Sequence, residues 1–360
     1  MNPTESSPIE KHIKVVSASA SHSDVFKNQY TLWRPSLRGI FGGIAIAQSL
    51  RAAQLTVPDG VYAHSMHCSF VSAGNGEDTI NYHVERIRDG KSFCLRLVRA
   101  IQINRTIFIA TISFTSHQIL PESKFLEHAI NIPNIELPSR SKSPRASGNS
   151  GIVLEAPFIN KSAGILKGKN HNPSDKRIHQ WIRARGAIDA PAGDPVHLAA
   201  LAFMSDSYLL AAVPHCHQTW LFEDPPVTEF YSTKEDLFTS PKSHTPILRP
   251  HLESSTQIEG ELGSKVTMMV SLDHIIYFHN VKCLKADEWL LTEVQTSWSG
   301  NARGLIHQKI WAGGDGTLLA TCIQEGIIRL DKDQDKSLSK TCILNLLSYN
   351  FLSHFVIEPI

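Results

Sequence analysis

The chain has 360 residues, 42% of them hydrophobic and 19% charged, which is enough for one large folded unit or two ordinary ones with a sizeable core. Its 35 Lys and Arg nearly cancel its 34 Asp and Glu, so no global field draws it to nucleic acid or an anionic membrane, and any anionic ligand has to be held locally. Cys68, Cys94, Cys216, Cys283, Cys322 and Cys342 lack paired spacing, no charged start with an apolar run opens the chain, and no stretch approaches the roughly 18 apolar residues of a membrane span. Free thiols and a soluble protein are expected. Glu358-Pro359-Ile360 is not a Ser-Lys-Leu type address, so the expectation is a cytoplasmic protein, with the peroxisome as the alternative.

In chain order, a polar N-terminal arm (1–23) precedes a segment rich in small and apolar residues over 39–56, which reads as a buried helix closed by the turn Pro58-Asp59-Gly60. Strand-like runs follow over 63–72, 79–88, 93–103 and 106–115, with hairpin signals at Arg88-Asp89-Gly90-Lys91 and Asn104-Arg105. One long helix followed by antiparallel strands predicts an α+β unit whose sheet wraps that helix, here over 24–120. The stretch 121–178, with its Ser, Pro and Arg run at 138–151, reads as a linker.

Order then returns in the same sequence. A strand over 180–185, a helix over 194–213 and strands over 271–280, 289–298, 304–311 and 318–330 predict a second unit spanning 179–332. It is interrupted at about 218–264 by a Pro-, Ser- and Thr-rich insertion and followed by a tail over 333–360. Ile107-Phe108-Ile109-Ala110-Thr111 in the first unit matches Leu318-Leu319-Ala320-Thr321 in the second. Similarity of both order and spacing implies two copies of one supersecondary unit.

The segments Leu32-Trp33-Arg34-Pro35-Ser36-Leu37-Arg38-Gly39-Ile40-Phe41-Gly42-Gly43 and Val84-Glu85-Arg86-Ile87-Arg88-Asp89-Gly90-Lys91-Ser92-Phe93 resemble the acyl-CoA thioesterase II family, the TesB-like double hot-dog enzymes. So do Trp181-Ile182-Arg183-Ala184, Leu272-Asp273-His274-Ile275-Ile276-Tyr277-Phe278-His279 and Gln324-Glu325-Gly326-Ile327-Ile328-Arg329, in that family's order. The resemblance covers residues 24–330 apart from the linker and insertion. It implies a tandem hot-dog fold, each long helix wrapped by an antiparallel sheet, and an acyl-CoA substrate hydrolysed to free acid and CoA, without a cofactor or metal.

The same resemblance assigns the catalytic positions to Asp206, Ser271 and Gln324. The family usually carries Thr where Ser271 stands; serine keeps the hydroxyl and loses only the methyl that stiffens the rotamer, so activity is expected to survive. Thioester hydrolysis needs an activated water and donors facing the developing oxyanion. Asp206, on the second helix, would take the water's proton while Ser271 and Gln324 orient it. Backbone N–H groups at the Gly39, Gly42 and Gly43 helix start would meet the oxyanion, and Arg303 would meet CoA phosphates.

Taken singly these residues are ordinary: an isolated Asp usually faces solvent, and a Ser or Gln at a strand end usually serves local hydrogen bonding. His215-Cys216-His217 lacks further ligands at zinc spacing and reads as a loop. His64 and His67 fall on opposite faces of a strand, and Asp273 and His274 do likewise, leaving Asp273 a structural or pocket-lining role. No Gly-x-Ser-x-Gly elbow points to an α/β-hydrolase, and a hot-dog hydratase would need His at Ala211. The competing class is a non-catalytic acyl-CoA-binding or scaffold protein. The acid released would be a fatty acid or a polyketide-like specialised one, and a homo-oligomer is expected.

Overall fold

The computed structural model describes residues 6–19, 22–33, 39–116, 126–138, 156–166, 172–217 and 266–330. The insertion over 218–264, the tail over 333–360 and most of the Ser-rich run at 138–151 lie outside these residues.

Two helices lie at the centre. The first, α2 (Gly42–Gln54), buries ten residues, because alanines and Ile44, Ile46 and Leu50 occupy nearly every side of it. The Thr56 hydroxyl donates to the Ala53 carbonyl at 2.8 Å and closes its end. The second, α3 (Pro195–Ser205), starts on Asp194, whose side chain accepts from the Val196 N–H at 2.8 Å, with Pro195 in the first turn where its missing N–H costs nothing. The helices run antiparallel. Gln54, ending α2, reaches the Pro195 carbonyl at the start of α3, while Gly42, starting α2, lies against Asp206 at the end of α3.

Around them curves one antiparallel sheet. Among the described residues the first repeat supplies β1 (Val15–Ser19), β2 (His22–Asn28), β3 (Val61–Phe70), β4 (Asn81–Asp89), β5 (Phe93–Gln102) and β6 (Arg105–Ser116). The second supplies β7 (Phe158–Leu166), β8 (Arg177–Ala184), β9 (Val266–Ser271), β10 (Asp273–Phe278), β11 (Leu290–Gly300), β12 (Arg303–Ala312) and β13 (Leu318–Leu330). The strand order is β1-β2-β4-β5-β6-β3-β10-β13-β12-β11-β8-β7, with β9 also on β13. The repeats join where β3 meets β10, antiparallel, with Cys68 opposite His274 and Met66 opposite Ile276. Equivalent strands thus pair across the junction, and neither repeat leaves that edge open to pair with a foreign strand.

The sheet's inner face and both helices share one core. Trp33, Phe41, Phe158 and Phe203 meet with ring centroids 5.1–6.4 Å apart. Each large apolar side chain buried here contributes on the order of 1.5–3 kcal/mol.

Several boundaries differ from those the sequence suggests. The helix expected over 194–213 stops at Ser205: Tyr208 takes a left-handed φ of 66°, and a short helix, α4 (Ala212–Cys216), follows. His215 therefore lies in a helix, bonded to the Tyr208 hydroxyl, rather than in a loop. The arm over 1–23 contains α1 (Pro8–Ile13), closed by a reciprocal Ser7–Glu10 capping box, and all of β1. The stretch 121–178 read as a linker contains β7, paired with β8. Residues 126–138 also lie over the outer face of the second repeat, where Ile132 and Ile135 pack on Trp181, Trp289 and Leu291, and the Trp311 indole donates to the Ile130 carbonyl at 3.1 Å. Three apolar side chains on that face, two of them Trp, need a cover, and an irregular segment supplies it.

Candidate active site

The end of α3 hands the chain to Asp206, the residue immediately after its last helical turn. The sequence puts this residue inside a helix; in the structure it is the C-cap, which turns its carboxylate toward the start of α2. There the Gly43 N–H donates to it, and a Cβ placed on Gly42 would stand 2.6 Å from its Oδ2. A helix N-terminus is a favourable place for a carboxylate.

β13 carries Gln324, fully buried on the inner face. Its Nε2 donates to Asp206 Oδ1 at 2.8 Å and to Ser271 Oγ at 3.1 Å. A carboxylate can only accept from a neutral amide, so this contact fixes which end of the amide faces Asp206. The Gln324 carbonyl oxygen is buried and has no partner among the described residues. The fold thus brings together the three residues expected to act as a unit, from α3, β9 and β13.

Burial dominates the electrostatics. It pushes the Asp206 carboxyl up to about 7, against the hydrogen bonds from Gln324 and Gly43 that favour the ionised form. The buried thiols and imidazole around it stay neutral: burial raises the Cys68 and Cys322 thiols, Cys322 to about 12, and lowers His274 to about 3. A carboxylate poised near neutrality, hydrogen-bonded to an amide that also holds a hydroxyl, can accept a proton from water and aim its lone pair.

Gly42 and Gly43 form the start of α2, beside Asp206. Gly43 donates to Asp206, so one of the N–H groups anticipated for an oxyanion is already committed. Arg303 does not join the trio. It ion-pairs with Glu325 at 3.0 Å, half-exposed, with its guanidinium over the Trp298 ring. Glu325 follows Gln324 in β13, so its side chain and the Arg303 paired with it lie on the other face of the sheet from Gln324.

His64 bonds Ser113 at 2.7 Å, His67 stacks edge-on to Tyr277, and His217 meets Ser299 at 3.0 Å. Among the described residues no group of three His, Cys, Asp or Glu could hold a metal, and no helix is long and apolar enough to cross a membrane. Two polar contacts at the site were missed from sequence. The Asp273 carboxylate accepts the Glu325 N–H at 2.7 Å, and His274 meets the Ser205 hydroxyl at 3.0 Å. Their only sequence signal was the Asp-His pair placed two residues after Ser271.

The fold and its two units have counterparts among known proteins. Residues 31–115 match the family model of the acyl-CoA thioesterase N-terminal domain and residues 137–328 that of its C-terminal domain. Acyl-coenzyme A thioesterase 8 of Mus musculus is 30% identical over 332 residues, 87% of each chain, and acyl-CoA thioesterase 2 of Haemophilus influenzae is 25% identical over 306, 82% of this chain and 89% of the other. In fold, the chain resembles the crystal structure of an acyl-CoA thioesterase II, TesB2, from Mycobacterium marinum, with a TM-score of 0.61 and 24% identity over 91% of this chain and 98% of that one. A hot-dog protein from Alicyclobacillus acidocaldarius gives a TM-score of 0.57 at 15% identity, covering 90% and 98%. With both domain models in tandem along one continuous double hot-dog sheet, the chain belongs to the TesB-like acyl-CoA thioesterase II family and is a thioester hydrolase.

Proposed function

We propose that the protein hydrolyses acyl-CoA by direct attack of a water activated at Asp206. The observation that carries this reading is the Gln324 amide, 2.8 Å from Asp206 and 3.1 Å from Ser271, beside a carboxyl held near 7. The water gives its proton to Asp206 as its oxygen bonds to the thioester carbon, while Ser271 and Gln324 fix its orientation. The charge that develops on the carbonyl oxygen meets the N–H of Gly42, the first residue of α2. Collapse of that intermediate breaks the C–S bond, and Asp206 returns its proton to the departing thiolate. No acyl-enzyme forms.

Arg303 is proposed to exchange Glu325 for a CoA phosphate. The exchange is cheap, because an exposed ion pair is worth only about 0–1 kcal/mol. The two units are proposed as 24–120 and 179–332 widened at their N-terminal ends, the first by β1 and the start of β2 and the second by β7 and the start of β8. A homo-oligomer is part of the proposal and is read by sedimentation, a monomer contradicting it. Cell fractionation tests cytoplasmic placement, recovery with peroxisomes being the contrary result.

The deciding experiment is a panel of straight, branched and polyketide-like acyl-CoAs, with free CoA and free acid quantified. Equimolar release of both supports the proposal, and the preferred acyl group separates a fatty-acid role from a specialised one. Binding without release on every substrate would replace it with a non-catalytic acyl-CoA-binding protein.

A further inference from the structure

The strand that carries Ser271 contains an irregularity that decides which way Ser271 points. Along β10 and β13, Ile275 lies opposite Ile323, and the register keeps step through Ile276–Cys322 and Tyr277–Thr321. Along β9 and β13, Ser271 lies opposite Gly326. Between these two pairings, three residues (Leu272, Asp273, His274) oppose two (Gln324, Glu325), which is a one-residue bulge.

Directly opposed side chains in a ladder share a face, and successive ones alternate. If the β10 register continued unbroken, Ser271 would oppose Ile327 and face away from Gln324. The bulge moves it opposite Gly326, two residues from Gln324, and so onto the inner face where Gln324 Nε2 meets its hydroxyl at 3.1 Å.

Asp273 holds the bulge. Its Oδ1 accepts the Glu325 N–H at 2.7 Å, while the neighbouring Leu272 N–H donates to the Glu325 carbonyl at 2.9 Å. Both backbone groups of Glu325 are thereby satisfied by the bulged segment. On the opposite face the fully buried His274 ring meets the Ser205 hydroxyl at 3.0 Å. Because Ser205 also donates to the Ala202 carbonyl at 2.9 Å, His274 is the donor in that pair, and it ties β10 to the residue preceding Asp206.

We infer that Asp273 is a positioning residue for hydrolysis: its side chain fixes the bulge that turns Ser271 toward Gln324 and Asp206. This rests on the reading of Asp206, Ser271 and Gln324 as the reacting site. The function of Asp273 requires an acceptor rather than a charge, so asparagine supplies it and alanine does not.

The test compares steady-state kinetics of Asp273→Ala, Asp273→Asn and Ser271→Ala, and of the Asp273→Ala/Ser271→Ala double variant. Asp273→Ala is expected to lower kcat roughly 10–100-fold with KM changed less than about threefold, as misplacement of a reacting group does. Asp273→Asn restores kcat to within about threefold, and in the Ser271→Ala background Asp273→Ala costs less than about threefold more, since coupled residues are not additive. Asp273→Ser, whose hydroxyl is too short to reach Glu325, gives the same reading if the alanine protein does not fold. Fully additive losses, or an asparagine variant as impaired as alanine, overturn the inference alone. Wild-type turnover in Ser271→Ala overturns the site reading beneath it.

Discussion

The backbone N–H of Gly43, in the first repeat, donates to the carboxylate of Asp206, in the second. The base of one hot-dog unit is therefore held by the helix start of the other, which the antiparallel packing of α2 and α3 brings beside it. This contact and the Gln324 amide both favour the ionised carboxylate, yet burial outweighs them and leaves it near 7.

That balance sets the pH dependence of the rate. A base must be ionised, so kcat/KM is expected to rise about tenfold per pH unit at low pH and to level off above about 7. A rate profile in matched-ionic-strength buffers checks this. A limb near the ordinary carboxylate value of about 4 would show that Asp206 is not the group being titrated.

Stability should move the opposite way. The folded-state pKa of Asp206, about 7, lies above its unfolded value of 3.8, so the folded state binds the extra proton between these limits. Its contribution is full below 3.8 and is lost as pH rises through about 7. Asp206→Asn removes the ionisation and is expected to stabilise the protein at pH 8 by about 2–4 kcal/mol relative to its effect at pH 4, the upper bound following from about 1.4 kcal/mol per pKa unit. Denaturant melts at the two pH values measure the difference.

Gln324 supplies both internal hydrogen bonds of the trio. Gln324→Leu is expected to lower kcat by about 10²–10³-fold, the range typical of removing a preorganised donor. It should also move the acid limb upward, because one of the two bonds that favour ionised Asp206 is gone. Ser271→Thr keeps the hydroxyl beside the bulge and should turn over within about threefold of wild type, as a threonine adds a methyl and removes no donor.

The two glycines at the start of α2 lack left-handed backbone angles and are required for closeness instead. A Cβ on Gly43 would fall 2.3 Å from the Phe203 carbonyl, backbone that cannot swing aside, so Gly43→Ala should cost about 1–3 kcal/mol of stability by forcing α2 and α3 apart. A Cβ on Gly42 would meet Asp206 Oδ2 at 2.6 Å and the Phe70 ring at 2.9 Å. Gly42→Ala should therefore depress kcat more than it lowers the melting temperature. Thermal melts and initial rates on the two variants separate these effects.

Strong periodicity made the architecture legible. The all-round apolar segment that became α2 and the alternating strands β3 to β6 stand within a few residues of their sequence-based limits, and the duplicated order disclosed the second repeat. The three candidate site residues could be singled out only through the family resemblance carried by motif order, since each alone is an unremarkable polar side chain. Short or conditional elements were harder. Ser7-Pro8-Ile9-Glu10 carries a capping-box pattern, but six residues are too few for periodicity to announce α1. The break after Ser205 depends on Tyr208 adopting a left-handed φ, which a tyrosine rarely does and no local pattern signals. The bulge at Leu272–His274 is a property of pairing with β13, so a reading of one strand by itself cannot reveal it.

The most direct measurement follows CoA release from an acyl-CoA by wild-type protein and by Asp206→Asn, with binding of the same substrate measured by calorimetry. Asp206→Asn is expected to bind with affinity within about threefold of wild type and to release CoA at least 10²-fold more slowly, the scale expected of losing a positioned general base. Release at the wild-type rate by that variant would contradict the account.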